Sequence, residues 1–196
     1  MFTELEKQVL TYVVGLLHYY GAIHWTGLYE RVKQQLLLDW QQEDFLCLLE
    51  QAVLSEDSPY VMEFAEGICF DYEVDDAEWV LAQQQEVTLD FRPVTEQEAA
   101  YLLEDRHLLL WSDDEKALYT WLEARCHDSD LALTLFLEYA ALLKNGLSPL
   151  ELAQKIVQEL AVEQAQIRET ASLVKKFAAA TPMWTLKGWR PNELPQ

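Results

Sequence analysis

The sequence has few cysteines, glycines and prolines and little positive charge, and each shortage argues against a class of protein. Its 3 cysteines are odd in number and far apart, without the two-residue spacing of a zinc knuckle, which argues against a disulfide framework. Only 6 Gly and 6 Pro occur among 196 residues that are 51% hydrophobic, so the chain is not a disordered tail. Lys and Arg number 14 against 34 Asp and Glu, a net charge of −20. Such acidity opposes attraction to nucleic-acid phosphates or anionic membranes.

The amino-terminal region predicts neither a signal peptide nor a membrane span. No basic segment precedes an apolar stretch at the start, as a signal peptide requires. Residues 8–29 contain no Asp, Glu, Lys or Arg, which is about the length of a bilayer span. They include His18 and His24, however, and Gly21 breaks the apolar run. We therefore predict a buried helix followed by a short strand, no membrane association and a cytoplasmic location.

The negative charge is concentrated in the middle of the chain. Residues 1–40 have a net charge of −1, residues 41–130 contain 4 basic and 24 acidic groups, and residues 131–196 have a net charge of +1. No Lys or Arg occurs between Lys33 and Arg92. A surface built from this stretch would repel polyanions over the Debye length.

The start of the chain predicts three helices and a short strand. Apolar residues recur at helical spacing up to Tyr20, and residues 22–25 favour a strand. Thr26 is a suitable N-cap for a second helix. Asp39 with Gln42 three residues later resembles the capping box of a third helix.

A β-hairpin is predicted to follow the third helix. Residues 59–64 and 68–72 are strand-like, and Gly67 lies in the turn between them. Helix, strand, two helices and a hairpin is the element order of a winged helix. We therefore expect a mainly α protein that begins with a winged-helix-like module of three helices plus a β-hairpin.

The remainder predicts a connector and an all-helical C-terminal bundle. Thr95 and Glu98 form the capping box of a helix that runs toward Leu110. Residues 131–143 are apolar around nearly the whole helix circumference, which predicts the central helix of the bundle. The predicted division is 1–88 for the winged-helix-like acidic module, 89–112 for the connector and linking helix, and 113–196 for the bundle with its Trp-rich tail.

No motif in the sequence indicates catalysis or metal binding. A P-loop, a G-x-S-x-G elbow, a G-x-G-x-x-G fingerprint and an H-E-x-x-H zinc motif are all lacking. Asp71, Glu73 and Asp75 alternate, so on a strand they would share a face, but as an EF-hand loop the segment has Asp76 where Gly is required. We predict no enzyme, no metal and no cofactor, and interpret these acids as a solvated edge that discourages aggregation.

A winged helix invites comparison with DNA-binding proteins, and the charges oppose that function. In DNA-binding winged helices the third helix enters the major groove. Here that helix would expose Glu43, Asp44 and Glu50, and the hairpin adds Glu63 and Asp71. Neither element contains a cation that could contact a phosphate. Direct DNA binding through this face is therefore disfavoured.

Three segments resemble one family of proteins. Residues 181–194 read TPMWTLKGWRPNEL and resemble a C-terminal motif T-P-x-W-x-L-K-G-x-x-P-N-E-L of an uncharacterised family from low-GC Gram-positive bacteria. Residues 89–98 and the segment 19–29 are similar to two further segments of that family. The resemblance implies a helical or winged-helix-like amino-terminal module and a helical second half, and it implies no activity. Some members have a Cys-rich, zinc-binding SEC-C module, which this sequence lacks, so no zinc site carries over.

The tail has a structural and a functional interpretation. Trp184 and Trp189 are expected to fold back on the helical half, with Gly188 permitting the bend. The alternative is that the two tryptophans form a groove for a peptide or partner.

Three functions remain open, and the first is preferred: an adaptor or regulator whose acidic winged-helix-like module binds a protein partner. The second is a nucleic-acid-mimicking inhibitor that presents its acids to the basic groove of a DNA- or RNA-binding enzyme. The third is a winged-helix transcriptional regulator that binds DNA. A homodimer also stays open, since 7 tryptophans supply apolar area for an interface. The candidate partner-binding residues are Glu43, Asp44, Glu50, Glu63, Asp71, Glu73, Trp184 and Trp189.

Overall fold

The structure is a computed structural model that describes residues 2–55, 58–104 and 106–194. Over these residues the chain is mainly helical, with nine α-helices and one small antiparallel sheet. Within the same ranges, no helix combines the length and the apolar character that crossing a membrane requires. In chain order the elements are α1 (Glu4–Tyr20), β1 (Ala22–His24), α2 (Trp25–Leu36), α3 (Gln42–Leu54), β2 (Glu63–Ala65), β3 (Ile68–Phe70), α4 (Ala77–Gln85), α5 (Glu96–Leu103), α6 (Asp113–Cys126), α7 (Ser129–Lys144), α8 (Pro149–Glu159) and α9 (Ile167–Ala180).

α1 begins and ends on local signals in the sequence. The Glu6 backbone N–H donates to Thr3 Oγ1, and the Thr3 N–H donates to the Glu6 carboxylate, which completes a reciprocal capping box. Gly21 ends the helix with a φ of 71°, a backbone region that glycine adopts without steric cost. The predicted buried helix followed by a short strand is thus present.

The three strands form one sheet in the order β1, β3, β2, and both pairings are antiparallel. Ile23 pairs with Cys69, which pairs on its other side with Phe64. The hairpin between β2 and β3 turns through Glu66 and Gly67, whose φ angles of 52° and 79° are those of a tight two-residue turn. The predicted hairpin with Gly67 in its turn is confirmed, but its strands are shorter than the predicted 59–64 and 68–72, because only Glu63–Ala65 and Ile68–Phe70 pair.

α2 begins earlier than the sequence predicts. Its N-cap is His24 and not Thr26, and the helix starts at Trp25 directly after β1. The Trp25 N–H donates to the Gly67 carbonyl at 3.0 Å. The start of the helix is therefore tied to the hairpin turn, which a search for a local capping side chain could not find.

The start of α3 and the end of α5 also differ from the predicted positions. α3 is capped by Gln41, whose N–H donates to the Asp44 carboxylate at 3.3 Å, so Asp39 does not form the capping box. α5 starts at the predicted Thr95 box but ends at Leu103, and a short 3₁₀ turn replaces its expected continuation to Leu110.

The described residues form two main hydrophobic cores. The first surrounds α1 and is completed by α2, α3 and α5. Gly15 allows α5 to lie close to α1, because a Cβ at this position would be only 2.3 Å from Ala99 Cβ. The second core lies between α6, α7, α8 and α9, around Phe136 and Phe177. By packing, α5 belongs to the first core, although the sequence groups it with the connector.

α7 is not enclosed by the bundle, contrary to the prediction that it is the central helix. Phe136 and Tyr139 on one side are buried, whereas Leu131 and Leu137 are 48% and 39% exposed. The carboxyl-terminal half of the helix lines a cavity toward the first half of the chain, and this position accounts for apolar residues on more than one face.

The tail joins the two halves, so the prediction that it folds back on the helical half is only partly right. Met183 does pack against the second core. Trp184, however, is fully buried in a third cluster with Ala22 and Val80, which belong to the sheet and α4. Gly21 provides the space, since a Cβ there would lie 2.4 Å from Trp184 Cγ.

Candidate functional site

The structure presents two charged regions, and the first is an acidic face on α3 and β2. The carboxylates of Glu43, Asp44, Glu50 and Glu63 are all exposed. Asp44 also caps α3, whereas no hydrogen bond or ion pair is recorded for the other three carboxylates among the residues described. We call these four residues the acidic face. It contains four of the eight residues predicted from the sequence for partner binding.

Two further predicted site residues, Asp71 and Glu73, lie apart from the acidic face. Asp71 is only 4% exposed, and its Oδ1 accepts the Glu73 N–H at 3.0 Å. The Asp71 N–H donates to the Gly21 carbonyl at 2.8 Å, which holds the segment against the end of α1. The prediction of a solvated acidic edge is therefore wrong for Asp71, because the segment after β3 turns inward.

Asp71 and Glu73 face a cleft between the two halves of the chain, which is the second region. The cleft encloses about 270 Å³ and is lined by α1, α5, α7, the segments around residues 60, 72 and 111, and the tail. Its walls are largely apolar. The rings of Trp111 and Phe136 lie 4.0 Å apart at their centroids, and Leu102 and Ala140 extend the apolar wall.

Lys144, Asp71 and Glu73 form a group of interacting charges on the wall of the cleft. Lys144, near the end of α7, is 4% exposed and contacts the face of the Trp184 ring, with Nζ 5.3 Å from its centroid. Burial raises the pKa of the Asp71 carboxyl and of the Glu73 carboxyl, and the positive charge of Lys144 only partly opposes the rise. The three groups thus share a poorly hydrated space.

A second charge pair, Arg190 and Glu115, also lines the cleft. Arg190 Nη2 lies 3.3 Å from the Glu115 carboxylate and donates to the Leu110 carbonyl at 3.1 Å. Glu115 is 5% exposed and also accepts the Ser112 N–H, as the capping residue of α6. The pair therefore ties the tail to the beginning of the helical bundle.

The tail is fixed by hydrogen bonds that side chains make to backbone carbonyls. Gln84 Nε2 donates to the carbonyls of Tyr20 and Trp184 at 2.7 and 3.0 Å. Trp184 Nε1 donates to the His18 carbonyl at 3.0 Å, and Trp189 Nε1 donates to Asp90 at 2.8 Å. Trp184 is thus inaccessible to a partner in this conformation, while Trp189 is half-buried and engaged with the connector.

Asn145 adds a direct link between the halves. Its Nδ2 donates to the Glu73 carbonyl at 2.8 Å, and its Oδ1 accepts the Asp75 N–H at 3.0 Å. The residue that ends α7 therefore fixes the segment that carries Asp71 and Glu73.

Sequence reasoning missed the cleft and most of its charged residues. Lys144 lies at the end of α7 and Glu115 in the first turn of α6, where charges of these signs are common on any helix. The position of Lys144 in a largely apolar helix was a usable signal. Lysine is almost never fully buried without a partner, so a lysine there indicates a polar site nearby.

Comparisons with known proteins add no identification. The chain matches no family model, and no match is found among curated proteins or among solved structures. The resemblance of three segments to a Gram-positive family therefore stays a prediction. Over the described ranges, no group of three or more His, Cys, Asp or Glu side chains is arranged to hold a metal ion.

Proposed function

We propose that the chain is a non-enzymatic, cytoplasmic adaptor or regulator that binds a basic surface of a protein partner through its acidic face. The observation that carries this proposal is four exposed carboxylates on α3 and β2 in a stretch without Lys or Arg from residue 34 to residue 91. Opposite charges across an interface accelerate encounter and disfavour wrong partners. A basic protein surface is the complementary partner.

We further propose that the first 74 residues are a winged-helix-like module. The order of α1, β1, α2, α3, β2 and β3 supports this, as does the pairing of β3 with both other strands. In winged helices of the DNA-binding class, the third helix and the hairpin meet the ligand. Here the acidic face lies on those same two elements.

A nucleic acid is a poor ligand for this surface. Affinity for DNA depends on Lys and Arg that neutralise phosphates, and α3 has Glu43, Asp44 and Glu50 instead. The same charges favour a nucleic-acid mimic as the second candidate function. In that case the partner is a DNA- or RNA-binding enzyme, and its complex weakens steeply as salt rises.

The test is a pull-down with the full chain as bait, washed first at low and then at high salt. The test variant is Glu43→Gln/Glu50→Gln, which removes two charges from the acidic face. The matched control is Glu163→Gln/Glu169→Gln, which removes two exposed charges from the second half. Mass spectrometry identifies the captured proteins, and a labelled DNA duplex is tested in parallel.

The proposal predicts a protein that the wild-type chain and the control capture and that the test variant loses. A captured nucleic-acid enzyme released by salt would favour the mimic. Equal capture by all three baits, or tight binding of the duplex, would contradict the proposed role of the acidic face.

A further inference from the structure

Among the residues that the structure describes, the side chain of Lys144 is buried and has no ion-pair or hydrogen-bond partner on the protein. It lines the cleft and is 4% exposed. In the part of the chain that the structure describes, no carboxylate lies within 4.0 Å of its ammonium and no hydrogen bond from it is recorded. The Trp184 ring is an electrostatic contact but no hydrogen-bond acceptor of ordinary strength. No described protein group accepts a hydrogen bond from this ammonium, so water or a ligand in the cleft supplies the acceptors for its donors.

The positive charge of Lys144 does not fully offset the cost of burying the two carboxylates beside it. Asp71 and Glu73 both line the cleft, and both experience the charge of Lys144. Burial nevertheless outweighs that attraction in each case and raises the pKa of each carboxyl. A further positive group close to them would therefore be attracted into the cleft.

The rest of the cleft provides room for an apolar group. Its volume of about 270 Å³ is close to the lower end of the range of small-molecule sites, roughly 300 to 1,000 Å³. Trp111 and Phe136 form an aromatic wall, and Leu102 and Leu137 adjoin it. A ligand that fills the cleft thus has an apolar body and a charged end.

We propose that the cleft binds a free α-amino acid with an apolar side chain. Its α-carboxylate accepts hydrogen bonds from Lys144, and its α-ammonium lies beside Asp71 and Glu73. The side chain packs against the wall of Trp111 and Phe136. An amine without a carboxylate meets the repulsion of Lys144, and an acid without an amine meets that of two carboxylates, so only the zwitterion complements both charges.

Three probes that share a phenyl ring test this assignment in the full chain by calorimetric titration. L-phenylalanine has both charges, 2-phenylethylamine only the ammonium and 3-phenylpropionate only the carboxylate. We expect L-phenylalanine to bind at least about tenfold more tightly than either single-charge probe, as for a charge-assisted hydrogen bond. Equal affinity for the amino acid and one single-charge probe, or no binding by any probe, would overturn the proposal.

Two variants identify which end of the ligand each residue contacts. Glu73→Gln should weaken L-phenylalanine and 2-phenylethylamine several-fold without weakening 3-phenylpropionate. Lys144→Met should weaken L-phenylalanine without weakening 2-phenylethylamine. Glu66→Gln removes an exposed carboxylate from the hairpin turn and is the matched control, with unchanged affinities.

If Lys144→Met does not fold, the probe series on the wild-type chain and Glu73→Gln still decide the matter. Loss of all three affinities in Glu73→Gln, or loss of none, would contradict the assignment. The acidic face takes no part in these measurements, so they are independent of the proposed adaptor function.

Discussion

The acidic face and the cleft contain the same carboxylate groups in opposite surroundings. Glu43 and Glu50 stand in water, where their charges act mainly through the field they create. Asp71 and Glu115 are 4% and 5% exposed, and Lys144 or Arg190 lies nearby. Charges of the first kind contribute little to stability, and charges of the second kind are coupled to folding. The net charge of −20 therefore mixes exposed acids, to which we assign recognition only as a proposal, with buried acids that contact the junction between the halves.

The largest effect should follow from breaking the junction beside the cleft with Trp184→Ala. The side chain is fully buried between the sheet, α4 and Gly21, so its removal leaves a cavity and an unused carbonyl at His18. We expect a loss of about 3 to 5 kcal/mol in the free energy of unfolding, measured with urea. Trp189→Ala is the control, with a clearly smaller loss because Trp189 is only half-buried. Equal losses would refute the central position of Trp184.

The next largest loss in the free energy of unfolding should come from breaking a buried ion pair, and an exposed ion pair provides the comparison. Arg190→Ala leaves the Glu115 carboxylate without its cation at 5% exposure, and we expect a loss of about 2 to 3 kcal/mol. Lys155→Ala removes a cation from Glu138 and Glu159 on the surface and should cost less than about 1 kcal/mol. Similar losses in the two variants would show that burial does not increase the contribution of the Arg190–Glu115 pair to stability.

The local elements of the fold could largely be predicted from the sequence. The Thr95–Glu98 capping box and the Gly67 turn are contained in a few adjacent residues, so they are visible without tertiary structure. The start of α2 could not be found in this way, because the Trp25 N–H is taken by Gly67, some forty residues away.

The cleft could not be predicted because its parts come together only in three dimensions. Asp71 and Lys144 are far apart in the sequence. Their segments meet only in the folded chain, where Asn145 joins them through tertiary hydrogen bonds. The acidic face was predictable for the opposite reason. Its helical acids lie within one element, where amphipathic spacing alone places Glu43 and Glu50 outward.

A smaller effect is expected from Asp71→Asn, which should change how the free energy of unfolding depends on pH. Because burial raises the pKa of Asp71, the folded state holds this proton more tightly than the unfolded state does. Wild-type stability therefore gains from this group at low pH and loses that gain as pH rises through its folded-state pKa. Asn keeps an oxygen for the Glu73 N–H but cannot ionise.

We expect the stability of Asp71→Asn, relative to the wild type, to increase between acidic and neutral pH. Lys144 and Glu73 face the same space, and the attraction of Lys144 reduces the increase without reversing it. Urea unfolding at a series of pH values provides the measurement, and Glu63→Gln, which removes an exposed carboxylate from the acidic face, is the comparison variant. A difference that falls with pH would mean that Asp71 is stabilised as the anion.

The smallest effect on stability, and the most informative about function, is expected from Glu43→Gln/Glu50→Gln. Both side chains are exposed and have no recorded partner in the described part of the chain, so the free energy of unfolding should change by no more than about 0.5 kcal/mol. Asp44 is left intact because it caps α3, and its loss would confuse stability with recognition. Loss of partner capture at unchanged stability would assign the acidic face to recognition. A marked change in stability would place these acids in the same class as Glu115, and the contrast between the two regions would fail.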